Sequence, residues 1–144
     1  MNDKIHTLSA VITPKDWKAY HDIRRRILWE NRGKFGVYQA NHPDEYHPNN
    51  HPMLLYCKGV PVGVVRIDLN SSKGQAIIRR VAIIETEQRK GHGRKLVQLV
   101  EAFARLNACN QIVVASAEDA SVFYKKCGYR TIRPGSRKMV KILN

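Results

Sequence analysis

The run Gln88-Arg89-Lys90-Gly91-His92-Gly93-Arg94-Lys95 is the part of this sequence best suited to chemistry. Two glycines one residue apart permit a tight turn and let an anion approach the main chain. The run follows a β-branched stretch and precedes an apolar stripe of helical spacing, so the turn should open a helix. The first N–H groups of a helix have no intrahelical partner, and the dipole there favours negative charge. Arg89, Lys90, Arg94 and Lys95 surround the same spot. A bound diphosphate accounts for both features together. Two better-known phosphate motifs do not fit: G-x-x-x-x-G-K-S/T is absent, and G-x-G-x-x-G meets Leu96 at its third glycine. The competing structural reading is a basic helix start after an ordinary glycine turn.

A second group of reactive residue types lies in a polar segment, His42, Asp44, Glu45, His47 and His51. Their spacing matches none of the familiar zinc patterns, so no metal is expected. The segment from 37 to 52 reads as a long ordered loop, with room for one helical turn. It is a candidate wall for an acceptor site, and Asp44 and Glu45 are expected to draw a cationic amine. Cys57, Cys109 and Cys127 are odd in number, far apart and form no C-x-x-C. They read as reduced, mostly buried thiols, and no Cys–His pairing points to a covalent intermediate.

The elements that must position these residues follow from periodicity. Ile5 to Ile12 is weakly strand-like. Thr13-Pro14-Lys15-Asp16 is a helix start, followed by Trp17, Tyr20, Ile23, Ile27 and Leu28 at helical spacing and ended by Gly33 and Gly36. Arg24, Arg25 and Arg26 cannot all face inward, so most of that run should be solvated. Met53–Cys57, Val62–Leu69 and Gln75–Ile84 are strands joined by short turns, an antiparallel meander. The next helix should bury Leu96, Leu99, Val100, Phe103 and Leu106. Gln111–Ala115 is a short strand, and strand–helix–strand here predicts a parallel pair with a right-handed crossover. Residues 116 to 119 resemble a capping box for a helix striped by Ala120, Phe123, Tyr124 and Cys127, and Gly128 ends it. Two last strands flank Pro134-Gly135.

The chain has 144 residues, enough for one domain with a core that needs no disulfide or metal. Lys and Arg exceed Asp and Glu by 25 to 12, a net charge of +13. The basic residues are scattered rather than gathered in a tail, so charge alone is weak support for a nucleic-acid partner. No window has the apolar length of a membrane span, and the N-terminus lacks the apolar core of a signal peptide. A cytoplasmic protein without a membrane partner is expected.

Gln88-x-x-Gly91-x-Gly93 matches the Q/R-x-x-G-x-G/A motif of the GNAT N-acetyltransferase superfamily. Ala120, Tyr124, Gly128 and Tyr129 match its A-x-x-x-Y-x-x-x-G-F/Y segment, at the usual separation. The sequence therefore resembles that family, most specifically from about residue 53 to 130. The resemblance implies a single α/β domain over 1–144, with a mixed, mostly antiparallel sheet of six or seven strands, a splayed parallel pair and flanking helices. It implies acetyl-CoA as co-substrate, lying where the strands ending near Ile84 and Ala115 part. Main-chain groups of Val81, Ala82 and Ile83 would pair with the pantetheine arm, with the Val81 amide facing the thioester carbonyl. The turn from Gln88 to Lys95, including His92, would hold the diphosphate through the amides of Gly91, Gly93, Arg94 and Lys95. Tyr124 would serve the departing sulfur. The implied reaction is direct transfer to the amine of a small molecule or peptide, by a monomer or homodimer. Two family features are missing: Ala117 stands where an Asn often contacts the cofactor, and Ile77 where one branch has a Glu base. Glu85, Asp68, His42, His47 and His51 are the remaining candidates for a base. The alternative is a domain of this shape that binds acyl-CoA or nucleic acid without turnover.

Overall fold

The computed structural model describes residues 5–115 and 120–144. The capping box expected at 116–119, and Ala117 with it, lie outside the described residues. The chain opens with β1 (His6–Ala10) and α1 (Pro14–Arg24). The start of α1 is a full capping box: the Thr13 hydroxyl accepts from the Asp16 N–H at 3.1 Å, and Asp16 accepts from the Thr13 N–H at 3.0 Å. The helix does not end at Arg24. It widens into a π-helical turn, Arg25–Trp29, then tightens into a 3-10 turn, Glu30–Arg32, closed by Gly33 at φ +81°. The loop that follows contains the expected single helical turn, Pro43–Tyr46.

β2 (Asn50–Cys57) begins three residues earlier than its apolar run, because Asn50, His51 and Pro52 already pair with β3. β3 (Val60–Asn70) and β4 (Gln75–Ile83) complete the meander, and β1 pairs with the free edge of β2. Next come α2 (His92–Leu106), β5 (Gln111–Ala115), α3 (Ser121–Lys126), β6 (Arg130–Thr131) and β7 (Lys138–Ile142). The seven strands form one sheet in the order β1-β2-β3-β4-β5-β7-β6, and only β4 and β5 run parallel.

Each face of the sheet has its own core. Leu55, Val65, Ile67 and Ile78 meet Leu96 and Val100 of α2 on one face. Leu54, Val64 and Ala82 meet Tyr20 and Ile23 of α1 on the other. Leu54, Val64 and Ala82 are register partners across three strands, so one row of side chains carries α1. The inward face of α2 carries four of the five expected residues: Leu96 and Val100 are buried, and Leu99 and Phe103 pack half-buried against the same core. Val97, Glu101 and Ala104 are buried beside them, whereas Leu106 is 86% exposed. This face admits a carboxylate because Glu101 accepts from Tyr129 Oη at 3.2 Å and Lys141 Nζ at 3.1 Å.

The feature that matters for chemistry is a break in the sheet. β4 pairs with β5 only over Gln75–Ile78 against Gln111–Val114. Immediately beyond, β4 bulges. Arg66 opposes Arg79 and Val64 opposes Ala82, so Val65 faces both Arg80 and Val81. Arg80 takes a left-handed φ of +53° to allow this. The extra residue sharpens the bend where the parallel strands part.

Candidate active site

The opening between β4 and β5 is a cleft of about 400 Å³, lined among others by Ile78, Arg80, Val81, Val114, Ala120 and Tyr124. Val81 sits in the bulge, outside the regular register pairs of β3 and β4. The Tyr124 ring is buried, edge-on to Phe123 at 5.1 Å and to Tyr129 at 5.6 Å. Its hydroxyl makes no hydrogen bond among the described residues. Burial, helped by the neighbouring Cys127, pushes the phenol up to about 12. Tyr124 therefore stays neutral and keeps its proton for donation.

A second hollow, of about 410 Å³, lies at the start of α2. Ile83, Gln88, Arg89, Gly91, Gly93 and Arg94 line it. Gly91 precedes the first helical residue at φ +87°, where a side chain would meet nothing within 4 Å. Backbone conformation, not crowding, requires glycine there. The Lys95 N–H already bonds the Gly91 carbonyl at 3.2 Å. This corrects the expectation for Lys95: the amides left outside the intrahelical pattern are those of Gly91, His92, Gly93 and Arg94.

Several of the flanking side chains also hold the turn. Gln88 donates its amide to the Ile83 carbonyl at 2.9 Å, tying the turn to the end of β4. The His92 ring is buried: Nδ1 lies 2.9 Å from His6 Nε2, and Nε2 2.9 Å from Glu87 Oε1. His92 thus offers an anion only its main chain. Lys90 pairs with Glu87 at 3.1 Å, and Arg94 donates to the Lys126 carbonyl at 3.5 Å. His6, Cys57 and His92 bring three metal-ligand atoms within 4.8 Å of one another. The hydrogen-bonded chain His6–His92–Glu87 already gives these rings a role, fastening the turn to β1.

A third cavity, of about 720 Å³, lies under the 37–50 loop, next to the cleft. Here the sequence expectation for Glu45 is overturned. Glu45 is 3% exposed and accepts from Tyr20 Oη at 2.8 Å. It also lies 3.1 Å from Arg24 Nη2 and 3.6 Å from Arg66 Nη1. Only Asp44 faces solvent, 3.8 Å from His42. Arg24 is correspondingly buried, while Arg25 and Arg26 are partly or fully exposed as expected. Asp68 accepts from Arg66 at 2.8 and 3.0 Å and from Arg79 at 3.2 Å. Sequence reasoning missed Arg24, Arg66, Arg79 and Arg80 as members of one site. The only local signal was the Arg66–Asp68 spacing, which puts both on one face of a strand.

The candidate bases fare poorly. Glu85 is held below the usual carboxylate range, first by the Asn31 amide at 2.8 Å and also by Arg26 at 3.1 Å. His42 and His47 accept backbone N–H bonds at Nδ1, at 3.2 and 3.1 Å. In the neutral ring that places the proton on Nε2, so neither offers a lone pair outward. His51 packs on Phe103 at 5.3 Å, against α2.

A seven-stranded mixed sheet whose parallel pair splays beside a glycine turn defines the N-acetyltransferase fold class. The chain belongs to the Acetyltransferase (GNAT) family, whose model matches residues 7–129. Among solved structures, a Lactobacillus plantarum protein assigned to the N-acetyltransferases superposes with a TM-score of 0.80 at 20% identity, covering 96% of this chain and 99% of its own. An aminoglycoside 6′-N-acetyltransferase complexed with coenzyme A gives 0.75 at 14%, covering 94% and 96%. Spermidine N-acetyltransferase from Vibrio cholerae, in complex with CoA and spermine, gives 0.74 at 14%, covering 96% of each chain. At such identities the likeness is one of fold. Among the described residues no helix is long and apolar enough to cross a membrane.

Proposed function

We propose that this protein transfers the acetyl group of acetyl-CoA to a primary amine by direct attack in a ternary complex. The observation that carries the reading is the bulged, splayed end of β4. It leaves the Val81 amide beside the cleft, with Tyr124 also lining that cleft and the glycine turn just beyond Ile83. The diphosphate rests on the amides of Gly91, His92, Gly93 and Arg94, with the Arg89 and Arg94 side chains close by. The pantetheine arm runs along Val81, Ala82 and Ile83. The Val81 amide donates to the thioester oxygen, where negative charge grows as the amine attacks.

Tyr124 donates a hydrogen bond to the departing sulfur. Burial pushes the phenol up to about 12, so it holds its proton at neutral pH and can donate it in a hydrogen bond. Stabilisation of the thiolate is the role that fits. The amine arrives neutral and gives its proton to water. The three free thiols, Cys57, Cys109 and Cys127, accord with a reducing, cytoplasmic setting.

The test is thiol release from acetyl-CoA with a panel of primary amines, beside calorimetry with coenzyme A. Amine-dependent release is expected. Coenzyme A binding without release for any amine overturns the transferase reading and leaves a binding domain.

A further inference from the structure

We propose that the acceptor carries an anionic oxygen group, carboxylate or phosphate, beside its amine, and that Arg80 receives it. This rests on the transferase reading above for the amine, but the anion site stands on its own geometry.

The 720 Å³ cavity is lined by four arginines, Arg24, Arg66, Arg79 and Arg80, and by the carboxylates Asp44, Glu45 and Asp68. The pairing among them is uneven. Arg66 and Arg79 share Asp68, while Arg24 and Arg66 share Glu45. Both oxygens of Glu45 and both of Asp68 are engaged. Asp44 turns out toward His42. Arg80 has no carboxylate partner among the described residues; its guanidinium lies over the Trp29 ring at 5.1 Å. Arg24 is held by Glu45 through one nitrogen, but its Nη1 is buried with no hydrogen-bond partner. Positive charge thus exceeds what the cavity's own carboxylates balance. The same imbalance is felt at Arg80, where burial and then Arg24, Arg32 and Arg66 lower its pKa.

The placement of Arg80 is specific. It is the residue that the β4 bulge forces to φ +53°, a conformation that costs a side-chain-bearing residue about 1–2 kcal/mol. Strain of this kind persists where the surroundings over-determine it, and it gathers at functional sites. Arg80 lines both the large cavity and the β4–β5 cleft, one residue before Val81. Its side chain is solvent-accessible, so a ligand can reach it. An acceptor that rests its anionic group on Arg80 has its amine within a few bonds of the Val81 amide. A guanidinium with free edges matches an oxyanion in two parallel hydrogen bonds. A polycationic acceptor meets the opposite field here.

The experiment measures binding without turnover. N-acetylglycine and its neutral isostere N-acetylglycinamide are titrated into the coenzyme-A-saturated protein, followed by calorimetry and by the fluorescence of Trp29 beneath Arg80. N-acetylphosphoethanolamine is the phosphate arm. At least one anion should bind about ten- to a hundredfold tighter than the amide, as a charge-assisted contact gives, and the tighter of the two identifies the group. Arg80→Gln should erase that preference, and Arg80→Lys should restore part of it, with thermal melts showing both variants folded. Equal binding of anions and amide, no binding of any, or a preference that survives Arg80→Gln overturns the proposal. Anion selectivity without thiol release for any amine would sink the transferase reading alone. Thiol release confined to neutral or cationic amines would sink the anion site alone.

Discussion

In the proposed transfer, Tyr124 acts as a hydrogen-bond donor to the departing sulfur. Burial pushes its phenol up to about 12, so the hydroxyl is protonated and available as a donor at neutral pH. Tyr124→Phe keeps the ring packing on Phe123 and Tyr129 and removes the donor. The expected result is a kcat lower by roughly ten- to a thousandfold with the acetyl-CoA KM nearly unchanged, measured by steady-state thiol release. Equal turnover would reduce Tyr124 to a packing residue. Glu45 gives a contrasting case, a carboxylate whose role is internal. Glu45→Gln breaks a buried network with Arg24, Arg66 and Tyr20 and should cost about 3–5 kcal/mol in urea denaturation. Asp44→Asn, on the exposed neighbour, should stay within about 0.5 kcal/mol. Equal midpoints for the two variants would refute the buried-network account.

Two elements set the geometry, the bulged strand β4 and the glycine-started helix α2. The bulge makes Val65 face two residues, and it needs Gly63 nearby: a Cβ there would lie 2.6 Å from Ile83 Cδ1 and 2.9 Å from the Ala82 carbonyl. At α2, the turn is held from outside by Gln88 and by the His6–His92–Glu87 chain, so its amides are fixed before any ligand arrives. Gly91→Asp forces a side chain into φ +87°, at a cost of about 1–2 kcal/mol, and sets a carboxylate beside the proposed diphosphate. Coenzyme A affinity should fall by more than about tenfold while the circular dichroism of the helices persists. An unchanged dissociation constant in the folded variant would remove the turn from the cofactor site.

Over the whole molecule, the histidines set the response to mild acid. Burial holds the imidazoles of His6, His21 and His51 below the free value of 6.5; His92 and Lys95 add to this at His6. The unfolded chain therefore takes up protons at a higher pH than the folded one does. Stability is complete above about 6.5 and is lost as pH falls from there through the lowered folded values. The carboxylates of Asp16, Asp22, Glu85 and Glu87, held low by hydrogen bonds and cations, add a second loss in stronger acid. The urea midpoint should be lower at pH 5.5 than at pH 7.5; coincident midpoints would refute this account of the buried rings.

Local rules determined much of this protein. The Thr13–Asp16 capping box, the meander, the parallel β4–β5 pair and the glycine turn before α2 are written in residues close together in the chain. Neighbouring residues are enough to fix a cap, a strand period or a left-handed turn. Tertiary structure alone decided the rest. Glu45 turned inward because Arg24 and Arg66, 21 residues to either side, converge on it. Glu101 of α2 could be buried because Lys141 meets it across 40 positions. Arg80 acquired its place from a mismatch between two strand registers, visible only once β3 and β4 are paired. These outcomes depend on which distant charges and registers meet, and no local pattern carries that information.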